Sequence, residues 1–329
     1  MKTTEELNKS GSVRPVLEEL RVTHSFKEDM EAHWGFNWSV DSEIGKLRAV
    51  LMRRPGKEVE NLGEDPLKFS MLDKLNPEGM REEFDAIKEI YERNGVKVYL
   101  LDDEDVPEDC PNIIYCRDLV NGSPNGVIIN RMGINVRSKE VVAAAKKLGK
   151  IGVPIAKTIT GNGTFEGACL IWLDRETVII GRGLRSNDEG CKQVIDELKN
   201  QGVKHFIWVE IPRQCVHLDG FIAIADYDVA VVFPTLCPNN VYEELLKRGF
   251  RIVEVPTWEE KALAHNFVAL EPGKIVAPMG IPVTKQRLEE LGVEVIDAKV
   301  DEIRRAAGMM HCMTAPLSRD SVPLYQITD

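Results

Sequence analysis

The segment NGVKVYL, Asn94–Leu100, decides the reading of the fold because four relatives of it follow in the same chain. IGVPIAK stands at Ile151–Lys157, QGVKHFI at Gln201–Ile207, RGFRIVE at Arg248–Glu254 and LGVEVID at Leu291–Asp297. Each copy places a glycine after a helix-like segment and continues with alternating apolar residues. Glycine suits the left-handed residue that ends a helix. Alternation of period two suits a strand. A return about every 50 residues marks one supersecondary unit used five times.

Working outward, amphipathic helices are expected before the glycines, over 78–93, 138–148, 187–200, 240–247 and 284–291. Leu288 and Leu291, for example, lie at helical spacing on one face. Ahead of each helix runs a β-branched stretch ending at Gly or Pro: LRAVLMRRP, GVIINRM, TVIIGRG, VAVVFPT and KIVAPMG. Four of these have another expected strand in front: IIYCRDLV, GACLIWL, LDGFIAIA and NFVALEP. Tight turns such as ADYD and EPGK join the pairs as hairpins. The first unit lacks a leading strand, and HCMTAPL (His311–Leu317) is left over at the other end. The expected fold class is therefore α/β: a propeller of five ββαβ units in a pseudo-fivefold ring, with the C-terminal strand closing unit one. Residues 42–329 form that single catalytic domain, and residues 1–41 an N-terminal arm. The arm carries Trp34, Phe36 and Trp38 and would pack on the ring or on another subunit, the second case giving a homo-oligomer.

Composition bounds the function. With 43% hydrophobic and 29% charged residues, the 329-residue chain reads as an ordinary soluble globular protein, which excludes collagen, coiled coil and wholesale disorder. No apolar run is long enough for a membrane span, and the first residues lack the apolar core of a signal peptide. Asp and Glu (53) outnumber Lys and Arg (42), a net charge of −11. Such a chain is a poor nucleic-acid binder and mildly favours a small cationic partner. Seven cysteines without a CxxC spacing argue against a disulfide framework and a zinc ribbon. The reducing cytoplasm is the expected compartment.

Equivalent points of the repeat carry polar residues: Asp118, Glu166, His217 with Asp219, Asn266 and Cys312. In a ring these would face one axis. His217 and Asp219, two apart on an expected strand, would share a face. A cysteine can act as nucleophile through its thiolate, a histidine can shuttle protons near neutrality, and carboxylates can grip a cation. Taken singly, each residue has a plainer role, a packed core thiol or a satisfied His–Asp pair; the common register favours one site. His217, Asp219 and Cys312 could instead be metal ligands, but the carboxylates suit a cationic substrate better, so no metal and no cofactor are expected.

These residues lie in segments that resemble the arginine deiminases, and more widely the guanidino-group-modifying enzymes of the pentein propeller fold. SEIGKLRAVLMRRPG (Ser42–Gly56), PNIIYCRD (Pro111–Asp118), FEGA (Phe165–Ala168), HLDG (His217–Gly220), NFVALEPG (Asn266–Gly273) and HCMTAPLSRD (His311–Asp320) follow in the family's order. The resemblance implies that Cys312 attacks the guanidinium carbon, that His217 handles the protons, that Glu166 orients His217, and that Asp118 and Asp219 clamp the guanidinium. It also implies that Asn112, Arg137 and Arg185 recognise the α-amino acid end, that Tyr115 lies near the guanidinium and that Asn266 completes the substrate-binding set. Arg305 would gate the substrate or form a surface ion pair. The implied reaction is hydrolysis of free arginine or an N-substituted arginine through an S-alkylthiouronium, giving citrulline and ammonia or an amine. The alternatives are amidino transfer to an acceptor amine and a catalytically dead binding propeller. The family's helical insertion is absent, AAGMMHC replaces a glycine-rich loop, Gly220 stands where the family has Thr, and APMGIP replaces a polar sequence. These departures leave the substrate open.

Overall fold

The computed structural model describes residues 21–60, 62 and 65–325. Residues 1–20 of the expected arm, and the last four residues, lie outside them. Residues 21–37 belong to a unit of their own. Its helix α1 (Phe26–His33) starts with a capping box, in which Ser25 accepts from the Glu28 amide and the Glu28 carboxylate accepts from the Ser25 amide. The division falls between Asn37 and Trp38, slightly before the expected 41/42 boundary. The reason is pairing: the Val40 amide donates to the Ser123 carbonyl and Ser39 accepts from the Arg319 amide.

From Trp38 onward the five repeats become five three-stranded sheets. The first unit runs β1 (Leu47–Met52), α2 (Pro77–Arg93) and β2 (Lys97–Leu100); the second runs β3 (Val120–Ser123), β4 (Gly126–Ile129), α3 (Glu140–Lys150) and β5 (Ile155–Thr158). The third comprises β6 (Leu170–Asp174), β7 (Thr177–Arg182), α4 (Asp188–Asn200) and β8 (His205–Glu210). The fourth comprises β9 (Ile222–Asp226), β10 (Val229–Val232), α5 (Asn239–Lys247) and β11 (Arg251–Glu254). The fifth comprises β12 (Val268–Glu271), β13 (Lys274–Pro278), α6 (Pro282–Glu290) and β14 (Glu294–Ala298), followed by α7 (Asp301–Arg305), α8 (Met310–Met313) and β15 (Ala315–Arg319). In units two to five a hairpin supplies an antiparallel pair, and the helix then returns the chain to a parallel third strand. In the first sheet β15 takes the missing place, antiparallel to β1 with Val50 opposite Pro316 and Leu51 opposite Ala315. Between units, β15 lies against β3, β9 against β12 and β12 against β1.

The local chemistry explains these elements. Asn76 caps α2 by accepting from the Gly79 amide, and Pro77 occupies the first turn, where its missing N–H costs nothing. Met80, Phe84, Ile87 and Tyr91 then bury one helical stripe. Gly95, Gly152, Gly202, Gly249 and Gly292 all have positive φ, from 77° to 100°, as the repeat requires. All seven cysteines are free, and no helix among the described residues is long and apolar enough to cross a membrane.

Two expected strands are corrected. IIYCRDLV is two 3-10 turns, Pro111–Ile114 and Cys116–Asp118, and the strand starts only at Val120. Pro111 opens a turn instead of donating to a ladder, and Ile113, Ile114 and Cys116 are buried without alternation. Similar turns, Gly167–Cys169 and Leu218–Gly220, precede β6 and β9. At the C-terminal end, Cys312 lies in the single helical turn of α8, ahead of β15 and not on it.

Candidate active site

The turns before the strands, together with α8 and its leading loop, line a cavity of about 400 Å³. Asn112, Tyr115, Asp118, Arg137, Arg185, His217, Asp219, Asn266 and Cys312 all face it. Glu166 is fully buried, hydrogen-bonded to His217. Thus nine of the ten expected residues meet at one cavity, and the tenth contacts three of them, His217, Arg185 and Arg137. His217 and Asp219 reach it from a turn, with His217 extended at its start, so strand alternation is not the reason they share a face. Arg305 is not among the lining residues; it pairs with Glu302 at 3.4 Å.

One side of the cavity is a histidine held by acids. His217 Nε2 lies 2.7 Å from Glu166 Oε2 and 3.7 Å from Asp118 Oδ1. These carboxylates overcome burial and raise the imidazole to about 8, while the opposing cations hold Glu166 down at about 2 despite its own burial. With Nε2 committed to Glu166, Nδ1 is the ring atom left to exchange a proton. Glu166 also accepts from the Gly133 amide at 2.9 Å and from Arg185 Nη1 at 3.2 Å.

Arg137 departs from its expected role. Its Nη1 lies 2.6 Å from Asp118 Oδ2 and 3.6 Å from Glu166 Oε2, and its Nε donates to Glu140 at 2.9 Å. A guanidinium so engaged has no free fork for a substrate carboxylate; it serves as counter-ion to the acids. Arg185 is the more exposed of the two arginines and touches Glu166 through Nη1. Asp118, Glu166 and His217 each bring one ligand atom within 4.8 Å of the others. The Arg137 guanidinium already supplies positive charge there, so this trio is poorly suited to a metal ion.

The other side is a thiol among acceptors. Cys312 Sγ donates to Asp219 Oδ2 at 3.3 Å and receives Asn266 Nδ2 at 3.2 Å. Burial, Asp219 and Asp118 push this thiol well above the ordinary cysteine value. The same direction holds for the buried Cys110, Cys116, Cys169, Cys191 and Cys215, so acidity does not single out Cys312. Its companions do. Asp118 Oδ1 and Asn112 Oδ1 are buried acceptors without a hydrogen-bond donor, a situation that costs energy until a donor arrives.

The rim is strained. Ser70, Leu263 and Ala307, with φ of 57°, 49° and 71°, are the only non-glycine residues with positive φ among those described, and all three line this cavity. Such strain tends to collect at ligand clamps. Gly308 lies flat on Tyr115, where a Cβ would come within 2.6 Å of the ring, and Tyr115 donates to the Ile303 carbonyl at 3.0 Å. Gly220 has a steric reason as well: a Cβ there would sit 2.0 Å from Cys215 Sγ, which donates to the His217 carbonyl.

Residues without an expected role complete the site. His311 Nδ1 lies 2.9 Å from Asp219 Oδ2, and its Nε2 lies 3.7 Å from Glu43 Oε2. Glu43 pairs with Arg117 at 2.6 Å. Adjacency to Cys312 was the available signal for His311. Arg137 also had one: Asp118 to Arg137 and Glu166 to Arg185 are both separations of 19 residues, the same acid–arginine pair in two successive units.

A thiol and an imidazole among carboxylates at one cavity, on five small mixed sheets, fit the class of guanidino-group-modifying enzymes, to which the family and its relatives assign the chain. The chain belongs to the N,N dimethylarginine dimethylhydrolase family, whose eukaryotic family model matches residues 68–319, and is a hydrolase of guanidino C–N bonds. It is 24% identical to the arginine deiminase of Bacillus cereus strain B4264, over 86% of this chain and 98% of that one. It is also 24% identical to a 2-nitroimidazole nitrohydrolase of Mycobacterium sp. strain JS330, over 92% and 86% of the two chains. Among solved structures, it superposes on a dimethylarginine dimethylaminohydrolase adduct with S-methyl-L-thiocitrulline with a TM-score of 0.69 at 22% identity, covering 82% of this chain and 99% of that one. An amidinotransferase of saxitoxin biosynthesis from Microseira wollei gives a TM-score of 0.71 at 17% identity, covering 88% of this chain and all of that one. At these identities the structural likeness speaks for the fold.

Proposed function

We propose that this chain is a cysteine-dependent hydrolase of free arginine or an N-substituted arginine, with its five units arranged as a closed ring around the cavity. The observation that carries the reading is the set of unfilled acceptors, Asp118 Oδ1 and Asn112 Oδ1, in the cavity that holds Cys312 and Asp219. A guanidinium would give donors to Asp118 and Asp219 and offset the two charges that hold the thiol proton. An α-ammonium would give a donor to Asn112. The α-carboxylate would turn to the N–H groups of Arg185 that Glu166 does not use.

The chemistry then follows from the residues. With the guanidinium bound, the Cys312 thiol gives its proton to solvent and the thiolate attacks the guanidinium carbon. His217, an imidazolium at neutral pH, gives its proton to the departing ammonia or amine, leaving the S-alkylthiouronium on Cys312. The neutral His217 next takes a proton from water, whose oxygen adds to the same carbon. Collapse breaks the C–S bond and restores the thiolate, and the hydroxyl proton passes to the released ammonia or amine, leaving citrulline. No cofactor enters the balance, and the cytoplasm is the proposed compartment.

The test is incubation with arginine, methylated arginines, agmatine and guanidinoacetate, without any acceptor amine. Citrulline together with ammonia or an amine is expected from the arginines. Ornithine formed only after an acceptor amine is added would overturn hydrolysis in favour of amidino transfer. Absence of turnover on every compound would support the binding propeller.

A further inference from the structure

We infer that His311 is a buried imidazolium whose bond to Asp219 sets the ionisation of the Cys312 thiol, making it a positioning residue for the nucleophile. Three observations carry this. His311 Nδ1 lies 2.9 Å from Asp219 Oδ2, the same oxygen that takes the Cys312 S–H at 3.3 Å. On its other side, His311 Nε2 faces Glu43 Oε2 at 3.7 Å. Asn266 ties the group together, accepting from the His311 amide at 3.1 Å while its Nδ2 points at both Asp219 and Cys312.

The charged groups around His311 are Asp219, Glu43, Arg117 and Arg319, the last three lining one small buried cavity with it. Asp219 and Glu43 favour the imidazolium, whereas burial and Arg117, 2.6 Å from Glu43, oppose it. The sum raises His311 above the ordinary histidine value. His265 lies near enough to feel His311, but burial drives it down to about 4, so at neutral pH it is uncharged and adds no repulsion. An imidazolium on Asp219 draws that carboxylate's charge away from the sulfur. Without it, Asp219 faces Cys312 at full strength and the thiolate becomes harder to form. Asp219 would also lose the contact that fixes its angle.

The inference rests on Cys312 being the nucleophile, but the measurement reads the thiol directly. It therefore separates from the question of which guanidino compound is turned over. The probe is iodoacetamide, neutral and small, with carboxamidomethylation of the Cys312 peptide followed by mass spectrometry at several fixed pH values. His311→Gln is expected to slow alkylation of Cys312 about threefold to tenfold at each pH, the tenfold limit being one pKa unit and the lower figure allowing for the greater nucleophilicity of a more basic thiolate. Asp219→Asn is expected to speed it, and in that background His311→Gln should have a much smaller effect, because the two act through one contact. An unchanged rate in a folded His311→Gln protein overturns the inference, as does an equal slowing with and without the Asp219 carboxylate. The unsubstituted protein offers a reading that does not depend on a variant folding: ¹⁵N-histidine spectra at pH 7 should show His311 doubly protonated, and a neutral ring there overturns the inference.

Discussion

The two sides of the cavity are built from the same kinds of residue but stand in different electrostatic states. Around His217, every charge already has its opposite: Glu166 meets His217 and Arg185, and Asp118 meets Arg137. Around Cys312, Asp219 has His311 beside it, but the thiol is still raised by Asp219 and Asp118, and an acceptor of Asp118 lacks a donor. The proton-handling side is assembled in advance. The nucleophilic side is completed only when a cation arrives. On the proposed reading, a thiol in this cavity reacts slowly with neutral electrophiles and faster with a guanidinium, because such a substrate brings positive charge beside Asp118 and Asp219.

The largest test of that contrast is Cys312→Ser, which should reduce turnover by at least about 10³-fold. The thermal unfolding midpoint should stay within a few degrees of wild type, since α8 keeps its turn. Retained activity would break the mechanism on the nucleophilic side. Glu166→Gln attacks the preassembled side. It removes the contact that fixes the His217 ring, and kcat should fall about 10- to 100-fold. The alkaline limb of the pH–rate profile should also move down from about 8. Stability should respond in the same sense. Because folding raises His217 above its ordinary value, its contribution is complete below that value and is lost as pH rises through about 8. Wild type should therefore lose up to about 1 kcal/mol more than Glu166→Gln between pH 6.5 and pH 8, Asp118 keeping part of the shift in the variant, as read by urea unfolding.

A smaller effect sharpens the nucleophilic side. Chloroacetamidine, a cation, should alkylate Cys312 about tenfold faster relative to chloroacetamide than it alkylates a free thiol. Asp118→Asn should remove most of that preference. Equal ratios would mean that the uncompensated charge does not act on the sulfur. The smallest effect concerns the rim. Ala307 holds φ at 71° beside Gly308, and Ala307→Gly should relieve strain and stabilise the fold by about 1 kcal/mol, net of the added freedom of the unfolded chain.

Much of the architecture was legible because glycine and periodicity report backbone shape directly. The five glycines after helices all took positive φ, and the expected helices over 78–93 and 187–200 match α2 and α4 to within a residue. IIYCRDLV misled because its apolar content is that of a strand while its apolar residues are buried by turns. The cavity residues were legible as a register, one set for each repeat. What the register could not show was pairing. Arg137 looks like a fork for a ligand until the carboxylates beside it are placed, although the 19-residue spacing it shares with Glu166 and Arg185 was there to be read. His311 was hidden for a similar reason: its partners, Asp219 and Glu43, lie 92 residues away and in the first unit, respectively.

The pairing of β15 with β1 bears on how the protein is made. A ribosome delivers the chain from the N-terminal side, and early segments fold as they emerge. The first sheet nevertheless waits for Ala315–Arg319, and the Cys312 sulfur comes just before that strand. An interrupted chain ending before α8 therefore carries the acids and the His217 imidazole but not Cys312, and its first sheet lacks β15. Synthesis thus delivers the turn that carries Cys312, and then the strand that completes the first sheet, only after the other four sheets have emerged.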